Sequence, residues 1–514
     1  IQADGYNPLE IRGLKFLYTG DISKQPKELA EVLSREFTPG EAYEELVKSA
    51  GEPGRKLSDL LKESKPEIKA SYGEGYWEDH FTYILDLAES YLGIWPDKEE
   101  AMLFSHKYPY FKSPVEVRPR REKHVLRPDG LVRQYHSLKH LEMVGSCWLE
   151  ADGHPVESDL YGKFLTLAIN KFGHLDPEGV GLSYEADRPG WNDALNGIPG
   201  LFGSGISEAI ELHRLVRFLQ KATRKYPDRK TKVLLEVDAL AEKLLAISEG
   251  LPAFAQWDRR MEALESYREN IRTSLGAANF AVAHWLPILE KMGRQLELGL
   301  ARAQKMAPIL PTYLYYEAVS YEVLADEEGR TLKNEDGFDL VKVHSFKSAK
   351  LPPFLEAPAR LLQSKVSESL ALEMYGEIKN SGLYDKKLGI YQTSVSLAGC
   401  SPEIGRIRAF TPGWLERESD FLHMTYKYLL GLLKSGLYAE FYKEMETNFP
   451  CFMDPDTYGR SPLENSSFIA TSANPDPVKW GQGFSARLSG STAEAISMWQ
   501  LMFIGPAPFR LADG

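Results

Sequence analysis

Residues 420–445, DFLHMTYKYLLGLLKSGLYAEFYKEM, decide how the fold is read. Apolar side chains return every three or four positions on both sides of Ser435-Gly436, which is the step of an amphipathic helix, and a Ser-Gly pair is where one helix stops and another can begin. The stretch predicts two helices folded back on each other. The same period runs through 207–222 (SEAIELHRLVRFLQKA), with Ser207 as N-cap candidate, and through 231–250, 76–94 and 160–172. It returns at 491–505, where Ser491 and Glu494 have the spacing of a capping box. Helices followed by long loops rich in Gly, Pro and charge predict a mainly-α fold, a closed toroid of helical hairpins, or (α/α) barrel, with loops lining one end. One stretch departs from this. Residues 312–343, TYLYYEAVSYEVLADEEGRTLKNEDGFDLVKV, are rich in Tyr and Val and divided at Glu328-Gly329, so a small β-ribbon is expected at about 310–345.

A chain of 514 residues, 43% hydrophobic, has material for one large core. The net charge of -12, with no Lys/Arg block interleaved with aromatics, argues against nucleic acid or an anionic membrane as partner. Cys147, Cys400 and Cys451 are far apart and without metal-ligand spacing, which points to a reduced, cytoplasmic setting. No apolar run approaches the roughly 20 residues of a membrane helix. The opening IQADGYNPLEIRG lacks Met and reads as the continuation of something before it, so part of a longer chain is expected, with residues 1–70 as an opening segment of linker helices and 71–514 as the barrel. The 26 Tyr and 9 Trp suit sugar binding, because the apolar face of a pyranose stacks on aromatic rings while its hydroxyls seek carboxylates and amides.

The chemistry concentrates in residues 184–204, YEADRPGWNDALNGIPGLFGS. Asp193 follows Trp191 and Asn192 inside a turn framed by Gly and Pro. An indole wall and an amide neighbour can hold such a carboxylate rigidly, and desolvation there raises a carboxyl toward the range a general acid needs. The bland alternative is that Asp193 caps the turn while Trp191 packs. The segment GLFGSG at 200–205 lacks the Lys-Ser/Thr ending of a phosphate loop and reads as a tight turn.

Trp191-Asn192-Asp193 resembles the Trp-Asn-Asp signature of the inverting β-glycoside phosphorylases, the family of the cellobiose, chitobiose and oligo-β-glucan phosphorylases. Three more segments match in the family's order: GYWEDHFTY at 75–83, LERESDFLH at 415–423 and RLSGSTAEAISMW at 487–499. The resemblance implies an (α/α)6 barrel in which Asp193 is the general acid. It further implies that Trp77, Glu78, Asp79, Trp191, Asn192 and Glu416 line the sugar site, and that His423, Arg487, Ser489, Gly490 and Ser491 hold inorganic phosphate. Phosphate is then a co-substrate, and no metal or organic cofactor is implied. The partners are a β-glucan or oligosaccharide, with a homodimer compatible. The chain departs from the family pattern at Gly190, where an Asp is usual, and at Arg417-Glu418-Ser419, where Asn-Gly-Gly is usual.

A phosphorylase needs one carboxylate, since phosphate is already an anionic nucleophile, whereas an inverting hydrolase needs a second carboxylate to activate water. Glu185, Asp187, Glu416 and Glu418 are the candidates for that base. A helical module that binds glucan without catalysis is the third expectation.

Overall fold

The computed structural model describes residues 15–50, 54–67, 81–142, 147–185, 189–273, 275–364, 366–461, 465–485 and 490–509. Among the described residues from 81 onward, eleven α-helices have eight residues or more: α1 (Phe81–Ile94), α2 (Leu160–Gly173), α3 (Ile206–Lys225), α4 (Leu235–Ala246), α5 (Ala253–Thr273), α6 (Leu286–Ala303), α7 (Glu356–Gln363), α8 (Glu368–Asn380), α9 (Leu422–Lys434), α10 (Tyr438–Asn448) and α11 (Gly490–Phe503). The opening stretch behaves as its pattern predicts. α9 ends in a Schellman turn, with Gly436 at φ +84° and the N–H groups of Gly436 and Leu437 donating to the carbonyls of Leu433 and Leu432. α10 then returns along α9 and buries Phe441. α3 buries Ile206, Ala209, Ile210, Leu212, Leu215, Val216 and Leu219 at helical spacing, with Glu208 in its first turn and Arg224 and Lys225 in its last, as the helix dipole favours.

The expected mainly-α (α/α)6 barrel is not what forms. Of the described residues about 50% are helical, 3-10 turns included, and 18% lie in strands, and a curled six-stranded antiparallel sheet runs through them. Its strands are β1 (His124–Leu126), β2 (Val132–Gln134), β3 (Leu182–Ser183), β4 (Ser204–Gly205), β5 (Tyr313–Val323) and β6 (Asp339–Lys350), in the spatial order β3-β4-β5-β6-β1-β2. The Tyr- and Val-rich ribbon β5–β6 is thus the centre of a sheet rather than a small insertion between helices. Its inner end pairs with β4 (Ser204 opposite Leu314) and its outer end with β1 (Leu340 opposite Val125). A bulge between Ala318 and Tyr321 bends it. The four remaining strands are two or three residues long, too short for alternating polarity to show in the sequence.

Two more expectations change locally. Residues 230–234, expected to open a helix at Thr231, form the strand Lys230–Leu234 paired with Ala277–Ala281, and helix α4 begins only afterwards. Ser207 does not cap α3. The cap is Gly205, and Ser207 lies buried in the first turn with its hydroxyl unpartnered among the described residues.

α1 to α6 enclose one apolar core that includes Phe164, Phe172, Leu212, Leu219, Leu264, Trp285 and Leu289. A second core joins the sheet to α7, α8, α9, α10 and α11 through Leu314, Tyr316, Val341, Leu362, Ile378, Leu429 and Met498. Within the first 70 residues, the strands Lys15–Tyr18 and Ser64–Glu67 and three short helices close over their own core of Leu29, Leu33, Phe37, Leu46, Leu57 and Leu60. Among the described residues no helix is long and apolar enough to cross a membrane.

Candidate functional site

The loop between β3 and α3 is held from below. Ala194, Leu195, Ile198 and Leu201 are buried against Phe354, Leu397, Ile404, Ile407 and Phe410, which leaves Trp191 and Asp193 on the upper side, partly exposed. Asn192, not Asp193, caps the single 3-10 turn Asp193–Leu195, its side-chain oxygen accepting from the Ala194 N–H at 3.2 Å. Asp193 is thereby released from backbone duty.

A second loop laces onto this one. The Gly197 N–H donates to the Ile404 carbonyl and the Arg406 N–H to the Asn196 side chain. A Cβ at Gly197 would lie 1.9 Å from the Glu403 carbonyl oxygen, and Gly405, at φ +127°, would bring one within 2.7 Å of the Ala194 oxygen. Glycine is required at both positions. The lacing delivers Arg406, whose Nη2 is 2.9 Å from Asp193 Oδ2, with the two side chains 47% and 40% exposed. The expectation of a desolvated Asp193 is corrected accordingly: the carboxylate is half open to solvent and faces a guanidinium.

Trp191 ties this loop to α9. Its ring lies 4.7 Å from Phe421 and meets His423 edge-on at 5.7 Å. His423, in the first turn of α9, packs so closely on Gly490 that a Cβ there would lie 2.3 Å from its Nδ1. The loop carrying Trp191, the start of α9 and the start of α11 therefore meet at one imidazole. Ser491 is buried beside it. One turn along each helix, Lys427 and Glu494 face each other, Nζ to Oε1 at 2.5 Å, and the same oxygen is 3.7 Å from His423 Nε2. Glu494 does not form the expected capping box. It turns to Lys427.

Burial pushes the His423 imidazole below its usual range, with Lys427 and Arg360 adding to the effect and Glu494 opposing it. Burial alone would raise the Glu494 carboxyl, but Lys427 and His423 hold it well below the usual range. At neutral pH His423 is a neutral donor or acceptor. Positive charge around it comes from Lys427 and from Arg360, itself buried and paired with Glu211 at 3.1 Å.

Compared with protein-family models and with curated proteins, the chain finds no match.

The remaining carboxylates differ sharply in freedom. Glu185 is buried, with Lys123 Nζ at 2.5 Å and Arg268 Nη2 at 2.7 Å. Burial would raise its carboxyl, but these two cations hold it well below the ordinary range. Arg268 also lines a cavity of about 610 Å³ with Arg120, Trp257 and Val341, a cavity that none of Trp191, Asp193 and His423 lines. Glu418, buried at φ +58°, accepts from the Leu397 N–H and from Arg417 Nε. Glu416 is half-buried in the same segment, beside Trp414, whose ring stacks on Phe484 at 3.7 Å. Asp420 is fully buried, and its Oδ1 accepts from the Thr425 hydroxyl at 2.6 Å while Oδ2 has no partner among the described residues. Trp77, Glu78, Asp79, Asp187, Arg487 and Ser489 lie outside the described residues.

Sequence reasoning missed Arg406, Lys427 and Arg360. Lys427 had a signal, four residues after His423 and hence on the same helical face. Arg406 and Arg360 had none, because loop lacing and a buried ion pair with another helix leave no local pattern. Among the described residues, no group of three or more His, Cys, Asp or Glu side chains is arranged to hold a metal ion.

Proposed function

We propose that the chain is an inverting glycoside phosphorylase that cleaves a β-linked glucan or gluco-oligosaccharide with inorganic phosphate, giving α-glucose 1-phosphate and a shortened chain. The observation that carries this reading is the meeting of Trp191, His423 and Gly490, members of three segments that are distant in sequence. On this reading Asp193 protonates the glycosidic oxygen, a step that requires its carboxyl to carry a proton in place of the ion pair with Arg406. Phosphate attacks the anomeric carbon from the opposite face, oriented by His423 and the first N–H groups of α11, with Lys427 and Arg360 nearby but each already paired with a carboxylate. Trp191, Asn192 and Glu416 shape the sugar site, and the resemblance adds Trp77, Glu78 and Asp79 to it and Arg487 and Ser489 to the phosphate site. A hydrolase would need a carboxylate free to activate water, and Glu185 and Glu418 are both engaged by cations or backbone donors. Three free cysteines suit a reducing compartment such as the cytoplasm.

The test is product analysis on a panel of β-gluco-oligosaccharides with and without phosphate. Phosphate-dependent α-glucose 1-phosphate, and almost no free glucose in its absence, is the expected result. Free glucose released without phosphate would favour a hydrolase, and oligosaccharide binding with no turnover a binding module. His423→Ala should raise the KM for phosphate about 10- to 100-fold and change the glucan KM far less, because the lost contact belongs to one substrate. Equal rises in both constants would assign His423 to packing.

A further inference from the structure

We propose that Glu208 is a positioning residue for the acid loop, its carboxylate filling the space that a side chain at position 190 would take and thereby setting how Trp191, Asn192 and Asp193 are presented. The proposal rests on the phosphorylase reading for its consequence but on independent geometry for its substance.

Glu208 sits in the first turn of α3 and is buried. The Tyr184 hydroxyl donates to its Oε1 at 3.0 Å. A Cβ at Gly190 would lie 2.3 Å from that Oε1 and 2.6 Å from the Tyr184 hydroxyl, and a Cβ at Gly205 would lie 1.9 Å from Oε2 and 2.1 Å from the same hydroxyl. Each carboxylate oxygen is thus pressed against the backbone of a glycine. Gly205 has φ -117°, which any residue adopts, and Gly190 has no positive φ either. Space, not backbone conformation, demands glycine at both positions. A carboxylate held only as a helix cap would touch its own helix end. This one also touches the residue preceding Trp191.

The hydrogen bond has a fixed direction. Burial first, and then the charges of Glu208, Tyr313 and Glu356, push the Tyr184 phenol well above its usual range, so Tyr184 stays protonated and donates. A second pair of the same kind, Tyr313 donating to Glu356 at 2.5 Å, lies behind it, with the two tyrosine rings 6.5 Å apart. The loop therefore rests on a floor of two tyrosine–carboxylate pairs, one of which reaches Gly190.

Because a side chain at position 190 would point at the Glu208 oxygen, an aspartate there can replace the carboxylate but cannot coexist with it. A double-mutant cycle tests this, using glucose 1-phosphate formation and Tm as separate readouts. Glu208→Ala and Gly190→Asp should each lower kcat about tenfold or more, with the glucan KM changed less, and the double variant should regain part of the loss, the Tyr184 hydroxyl still standing 2.6 Å from a Cβ at position 190. Glu208→Gln, which keeps the shape, should keep Tm and lose only a fewfold in kcat. Losses that simply add in the double variant, in kcat and in Tm, would overturn the proposal and leave Glu208 as a buried side chain of α3 with no part in placing the loop. If the wild-type chain makes no glucose 1-phosphate, the phosphorylase reading fails, and the slot stands or falls on Tm alone: recovery in the double variant supports it, additive losses reject it.

Discussion

Replacing Asp193 with asparagine should lower glucose 1-phosphate formation by about 10²- to 10⁴-fold while leaving the fold intact, since it removes the transferable proton and hardly changes volume. The geometry makes the test clean. Asp193 does not cap its turn, a role taken by Asn192, and its ion pair with Arg406 is partly exposed, so losing the charge should change stability by no more than about 1 kcal/mol. Initial rates with a β-gluco-oligosaccharide and phosphate, alongside circular dichroism and Tm, separate chemistry from folding. Turnover near that of the unaltered protein would remove Asp193 from the role of general acid and the phosphorylase reading with it.

Asp420→Asn should act the other way, on stability, and increasingly as pH rises from about 4 to 7. Burial pushes the Asp420 carboxyl up from 3.8 to about 7, with the Thr425 hydroxyl partly opposing. Between those values the unfolded chain has already released a proton that the folded chain still holds. Folding stability contributed by this group is therefore complete below the unfolded value and is lost as pH rises through about 7, by on the order of 4 kcal/mol in all. Asparagine cannot ionise and keeps an oxygen for Thr425. The variant should match the parent near pH 3, pull ahead as pH rises from about 4 to 7, and gain toward about 4 kcal/mol at pH 8, read as the difference in denaturation midpoints across pH. His423, whose imidazole burial lowers, moves the parent in the opposite sense at acid pH, and because both proteins carry it the difference isolates Asp420. A gap that does not change with pH would mean that Asp420 does not titrate in this window.

The helices were legible where periodicity ran for ten residues or more and glycine marked the end, as at α9 and Gly436. The sheet was not, because β1 to β4 are fragments of two or three residues recruited by the long ribbon β5–β6, and recruitment is a tertiary event that leaves no local period. Lys230–Leu234 shows the same limit: its pattern suits a helix start, and pairing with Ala277–Ala281 decides otherwise. At the candidate site, Trp191, Asn192, Asp193, His423 and Gly490 were nominated from short motifs. The residues that surround them, Arg406 across the laced loops and Glu208 beneath Gly190, were invisible because each is defined by what it touches in space.

The lacing of Gly197 to Ile404 also sets a timetable for the nascent chain. Residue 404 leaves the ribosome roughly 200 residues after residue 197, some 10 to 40 s later at ordinary synthesis rates of about 5 to 20 residues per second. Until then Leu195, Ile198 and Leu201 lack Ile404, Ile407 and Phe410, the partners that bury them. The loop carrying Asp193 spends that interval as an apolar segment open to chaperones and proteases, and the site is among the last parts of the molecule to close.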